Sequence, residues 1–134
     1  MADLAHACKA WFEVGKKKAE ALVIGLYGDL GAGKTAFVKE LAKTFGVKEH
    51  ITSPTFVLMK KYPLENAPFD YLIHIDAYRL QNGEELAKLG WKEIICNPCN
   101  LVCIEWPEKV SEVMPKHHEM KFRFVDEGTR EVSV

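Results

Sequence analysis

A chain of 134 residues, 48% hydrophobic and 28% charged, has the size and composition of one compact domain with a real core and no space for a second catalytic domain. Its 18 basic and 19 acidic residues give a net charge of −1, which argues against a protein that grips nucleic acid through a basic face of its own. No stretch approaches the ~20 apolar residues of a membrane span, and Met1 to Lys9 lack the basic start and apolar run of a secretory signal, so the cytoplasm is expected.

Leu4 to Val14 carries apolar residues at helical spacing behind Asp3, a residue suited to an N-cap. The run Lys16-Lys17-Lys18 reads as a solvated helix end. Ala21 to Tyr27 is a short apolar run that stops at a glycine, the pattern of a buried parallel strand. After the segment Gly28 to Thr35, helical spacing resumes through Phe37, Val38, Leu41 and Ala42 and stops at Gly46. Ser53-Pro54-Thr55 predicts a turn, because proline fixes its own φ and pushes the preceding residue extended. Strands are expected at Phe56 to Tyr62, Tyr71 to Asp76 and Leu101 to Glu105, with a helix broken near Gly90 over Glu84 to Cys96. Met120 to Val125 and Arg130 to Val134 predict a closing antiparallel hairpin. Strands alternating with helices point to one α/β domain spanning 1–134 with a mostly parallel sheet.

The segment Gly28-Asp29-Leu30-Gly31-Ala32-Gly33-Lys34-Thr35 fits G-x-x-x-x-G-K-[ST], the phosphate-binding P-loop. The spacing has a mechanical basis. Glycines let consecutive N–H groups turn inward toward phosphate oxygens, and the helix that follows adds the positive end of its dipole. Lys34 reaches the β and γ phosphates, Thr35 offers a hydroxyl to Mg²⁺, and Ala36 continues the first turn. With glycine near 7% of residues in average proteins, the pattern arises by chance about once in 200 chains of this length. The expected strand before it and helix after it are the context the motif requires. No N-K-x-D segment is present to bond a guanine, which favours ATP.

Phosphoryl transfer also needs acids to hold the metal and orient the attacking water. In open α/β sheets these sit at the carboxyl ends of strands. Asp76 and Glu105 both end expected strands, and either suits the metal. Arg79, three residues after Asp76, suits a phosphate or a structural ion pair. Cys96-x-x-Cys99 with Cys103 and Cys8 lacks the second ligand pair of a zinc site and the strand-to-helix context of a redox pair, so plain thiols are expected.

Taken together, G-D-L-G-A-G-K-T at 28–35, Ser53-Pro54-Thr55-Phe56, His74-x-Asp76-x-Tyr78-Arg79-Leu80, Glu84-Glu85-Leu86 and Glu105-Trp106-Pro107 resemble the TsaE (formerly YjeE) family of small bacterial ATPases of tRNA threonylcarbamoyladenosine biosynthesis. Order and spacing match from about Ala21 to Pro107. The resemblance implies that Thr35 and Glu105 hold Mg²⁺, that Asp76 is a second acidic catalytic residue, and that Ser53 to Phe56 form a switch-like segment. It implies a basic residue of the C-terminal hairpin near the nucleotide, for which Arg130 is the candidate. It further implies slow ATP hydrolysis that supports TsaD and TsaB in modifying adenosine 37 of tRNAs reading A-starting codons, with the tRNA held mainly by those partners.

Two other classes use the same loop. A small-molecule kinase needs an acceptor pocket and a lid bearing several arginines, whereas this chain has only Arg79, Arg123 and Arg130. A nucleotide switch that rarely hydrolyses would not need both Asp76 and Glu105.

Overall fold

The computed structural model describes residues 12, 19–29, 32–48, 58–65, 67–126 and 129–133, the side chains of 129 and 130 excepted. Of the helix expected over 4–14, Phe12 alone lies within them, helical and buried. Strand β1 (Leu22–Tyr27) leads through the glycine-rich loop into helix α1 (Lys34–Thr44). Strand β2 (Met59–Pro63) and strand β3 (Tyr71–Asp76) follow. Two short helices, α2 (Gly83–Ala87) and α3 (Trp91–Ile95), precede strand β4 (Asn100–Glu105). A 3₁₀ segment, Pro107–Val113, and the hairpin of β5 (His118–Asp126) and β6 (Thr129–Ser133) complete the chain.

The six strands form one sheet in the order β2-β3-β4-β1-β5-β6. The pairs β3–β4, β4–β1 and β1–β5 are parallel, and the outer pairs β2–β3 and β5–β6 are antiparallel. The α/β class, the mostly parallel sheet and the antiparallel C-terminal hairpin are therefore as expected. Periodicity carried no orientation for β2, which lies antiparallel on the edge, where Pro63 breaks no inner ladder. Helix Glu84 to Cys96 is divided as expected, with Gly90 in the left-handed region at φ 85° capping the start of α3. The 3₁₀ segment went unforeseen; it begins on a proline, whose fixed φ suits a first helical position.

Side chains that alternate along β1, β3 and β4 are buried on both faces. Leu22, Ile24 and Leu26 of β1, with Leu101 and Cys103 of β4, pack on one face against Phe37, Val38, Leu41 and Ala42 of α1. Those four helix positions recur at i, i+1, i+4 and i+5, one stripe of a 3.6-residue helix. Val23, Ile73, Ile75, Val102 and Ile104 fill the other face under Leu86, Trp91 and Val110. Each fully buried large side chain contributes about 1.5–3 kcal/mol, so a sheet covered on both faces supplies the rigid base on which its carboxyl edge stands.

At that edge Gly28 has φ +140°, and a Cβ there would lie 2.3 Å from the carbonyl oxygen of Phe122. Only glycine permits β5 to close against the start of the loop. The hairpin is thus built into the sheet beside the P-loop strand.

Candidate nucleotide site

Helix α1 begins without a capping side chain: Gly33 stands at its N-cap with φ 105°, and the first turn holds no acid. The first N–H groups of such a helix have no intrahelical acceptor and face the positive end of the dipole. A helix start of this kind is able to receive an anion. Lys34 and Thr35 occupy that turn, with Ala36 exposed beside them. The Asp29 carbonyl accepts from the Ala32 amide at 3.2 Å, closing the described part of the loop.

Lys34 is only 4% exposed. Its ammonium donates to the carbonyl of Gly28 and sits 3.6 Å from the centre of the Trp106 ring. Burial pushes the Lys34 pKa down from 10.5, while Glu105, Glu108, Asp76 and Asp29 pull it back up. An ammonium held in this way is under-solvated, and a phosphate group is the partner that would relieve it.

Registration of the parallel strands sets the acids. Asp76 of β3 pairs with Glu105 of β4, and Glu105 pairs with Leu26 of β1, two residues before Gly28. Side chains alternate along a strand, so Leu72, His74 and Asp76 share the face covered by α1, as do Leu101, Cys103 and Glu105. Glu105 is 4% exposed and accepts from the Thr35 hydroxyl, whose Oγ1 lies 3.1 Å from Oε1 and 3.0 Å from Oε2. The Nε2 of His74 stands 2.6 Å from Oε2 of the same carboxylate.

Asp76 accepts from the Tyr78 amide at 3.0 Å. Burial raises its pKa above 3.8 and the Glu105 carboxylate adds to the rise; the Tyr78 amide, His74 and Lys34 oppose it. A raised folded-state pKa means that ionised Asp76 opposes folding, absent below pH ~3.8, where both states are protonated, and fully developed above the folded-state pKa. Asp76→Asn keeps the acceptor for Tyr78 and is expected to raise the melting temperature in metal-free buffer at pH 7 to 8. The gain is expected to vanish as the pH falls below 4; a constant gain across the range would assign it to packing instead.

Trp106 adopts φ 61° and ψ 47°, left-handed for a residue with a bulky side chain. That conformation turns the ring onto Lys34 and against Tyr78, 5.1 Å between centroids. Neither the Trp106 contact nor the His74 contact was assigned a role from sequence. For His74 the signal was there, since it lies two residues before Asp76 on the same strand face.

Leu30, Gly31 and the segment Ser53 to Phe56 lie outside the described residues, as does the Arg130 side chain, whose backbone pairs with Phe124 in the hairpin. Among the described cysteines, Cys96 and Cys99 are exposed and Cys103 is buried in β4, and none of the three is in a disulfide. Among the described residues no helix is long and apolar enough to cross a membrane.

The chain as a whole is similar to known proteins. The family described as "Threonylcarbamoyl adenosine biosynthesis protein TsaE" matches residues 2–132. The chain is 38% identical over 122 residues to the tRNA threonylcarbamoyladenosine biosynthesis protein TsaE of Treponema pallidum, covering 90% of this chain and 87% of that one. It is 34% identical over 137 residues to the protein of the same name from Nostoc, covering 100% of this chain and 82% of that one. Its fold is similar to the crystal structure of Bacillus subtilis YdiB, with a TM-score of 0.64 and 25% identity, across 96% of this chain and 77% of that one. Motifs, sheet order and full-length similarity agree: the chain belongs to the TsaE family of tRNA threonylcarbamoyladenosine biosynthesis proteins.

Proposed function

We propose that the protein is a Mg²⁺-dependent ATPase that works with TsaD and TsaB in the threonylcarbamoylation of adenosine 37 in tRNAs reading A-starting codons. The observation that carries this reading is the meeting of Lys34, Thr35 and Glu105 at the uncapped start of α1. The Thr35 hydroxyl and the Glu105 carboxylate are hard oxygen donors converging on one point, a set that suits Mg²⁺. These two residues would hold the ion, which when bound neutralises charge on the phosphate oxygens.

The remaining roles fall to the chain itself. Helix α1 and the loop amides receive the phosphates, and Lys34 leaves the Gly28 carbonyl to meet them. Asp76 orients the attacking water and accepts its proton; its raised pKa moves it toward that of a working base. Trp106 shields the ammonium from solvent on its far side. The net charge of −1 supports tRNA being held mainly by the partner subunits, in the cytoplasm where tRNA is modified. A kinase reading finds less support, since Arg123, one of three arginines, is engaged with Glu131 across the hairpin.

Reconstitution tests the proposal. Phosphate release from ATP with Mg²⁺ is expected to be slow for the chain alone and to rise when TsaD and TsaB are added. Repeated threonylcarbamoylation of tRNA is expected to require this chain. Transfer of labelled γ-phosphate to a metabolite, or full tRNA modification without the chain, would overturn it.

A further inference from the structure

His74 is a buried ionisable group to which the proposed chemistry gives no role. It has no exposed surface, in the middle of β3 between Leu72 and Asp76 on the same face, paired with Lys60 of β2 and the buried Cys103 of β4. Its Nε2 lies 2.6 Å from Glu105 Oε2, while its Nδ1 has no hydrogen-bond partner among the described residues. An ionised carboxylate only accepts, so the proton of the hydrogen bond sits on Nε2. The ring then donates through Nε2–H and leaves Nδ1 unsatisfied. A buried ring nitrogen without a partner is unfavourable, and a leucine or valine at this position would avoid it. What the imidazole supplies in exchange is the fixed orientation of one carboxylate.

Glu105 has two oxygens, and the Thr35 hydroxyl is nearly equidistant from them at 3.1 and 3.0 Å. The Thr35 contact therefore does not select a rotation of the carboxylate about its terminal bond, and such sp² torsions are broad. The His74 bond selects it, tying Oε2 to β3, while Oε1 keeps only the shared Thr35 hydroxyl among the described residues. We propose that His74 is a positioning residue that holds the Glu105 carboxylate through Nε2–H···Oε2, so that Oε1 and the Thr35 hydroxyl together face a divalent cation. A donor behind a ligating group in this way orients it and raises its affinity. The inference rests on the reading of the site as a Mg²⁺–nucleotide site.

Two amide variants separate positioning from packing. Glutamine places its NH₂ close to the histidine Nε2 position, whereas asparagine places it close to Nδ1, on the wrong side of the ring. Mn²⁺ is titrated by electron paramagnetic resonance into the full chain loaded with a non-hydrolysable ATP analogue. His74→Asn is expected to weaken Mn²⁺ binding about 10–100-fold and His74→Gln to stay within about threefold of the parent protein. Analogue affinity in the presence of a chelator is expected to change by less than about twofold in both, since the phosphate contacts are untouched. Equal Mn²⁺ affinity in all three proteins, or equal losses in the two variants, would overturn the proposal.

Long-range ¹⁵N–¹H spectra of the unsubstituted protein provide an arm that needs no variant to fold. His74 is expected to carry a proton on Nε2, and a ring protonated on Nδ1 alone would overturn the contact with Glu105. A parent protein that binds the analogue but no Mn²⁺ would instead refute the metal site of the proposed function, and the tautomer would still decide the His74–Glu105 contact.

Discussion

Replacing Lys34 with alanine is expected to lower ATP affinity on the order of 100-fold, because hydrogen bonds to charged groups contribute about 1.5–3 kcal/mol and each 1.4 kcal/mol is tenfold in affinity. The ammonium is 4% exposed and already held at the loop by the Gly28 carbonyl and the Trp106 ring. Burial makes its charged form expensive before nucleotide arrives, which is why its pKa is lowered. A phosphate oxygen restores what burial removes, and alanine cannot. The free variant should nevertheless fold, since substitution deletes a strained charge along with one hydrogen bond. Calorimetric titration with ATP checks the affinity, and thermal melting checks the fold. Retention of affinity within about threefold in a folded variant would show that the phosphates bind elsewhere.

Glu105→Gln is expected to reduce turnover about 100-fold or more, the scale on which removing one fixed electrostatic group from a reacting site is felt. ATP affinity should change by no more than about threefold, because the loop amides and Lys34 carry most of that contact. Glutamine retains an acceptor for the Thr35 hydroxyl and the His74 Nε2–H, so the variant isolates the charge from the packing. Alanine does not isolate it. Glu105→Ala strands the buried His74 Nε2–H at about 1–3 kcal/mol and frees the half-buried Thr35 hydroxyl as well, and its melting temperature should fall by about 5 °C or more. Turnover by Glu105→Gln equal to the parent would leave Asp76 as the acid that matters. Single-turnover phosphate release and ATP titration, run side by side, distinguish these outcomes.

Lys34 and Glu105 are thus engaged by the protein itself. Lys34 bonds Gly28, and Glu105 bonds both Thr35 and His74. Each contact holds a side chain close to where ATP and Mg²⁺ would meet it, so little rearrangement is needed on binding.

The sequence by itself determined the local features. Gly28, Gly33, Lys34 and Thr35 declare a phosphate loop because a chain turned tightly around phosphates tolerates few other residues at those positions. Strand β3 was legible to the residue, since Tyr71 to Asp76 is an apolar run closed by an acid. The break at Gly90 was equally plain, because glycine enters the left-handed region that ends one helix and starts the next. Which acid meets the hydroxyl of Thr35 was not legible. Asp76 and Glu105 each end a strand, and spacing along the chain cannot rank two strand ends.

Tertiary structure decided by strand order and register which acid meets Thr35. β4 lies directly beside β1, so Glu105 stands against Thr35, and Asp76 is one strand further out. The same register sets His74 against Glu105, and the left-handed turn at Trp106 lays its ring over Lys34. These partners are separated by 31 and 72 positions in the chain, from 74 to 105 and from 34 to 106. No periodicity carries information across such distances; the pairing of strands into one sheet does.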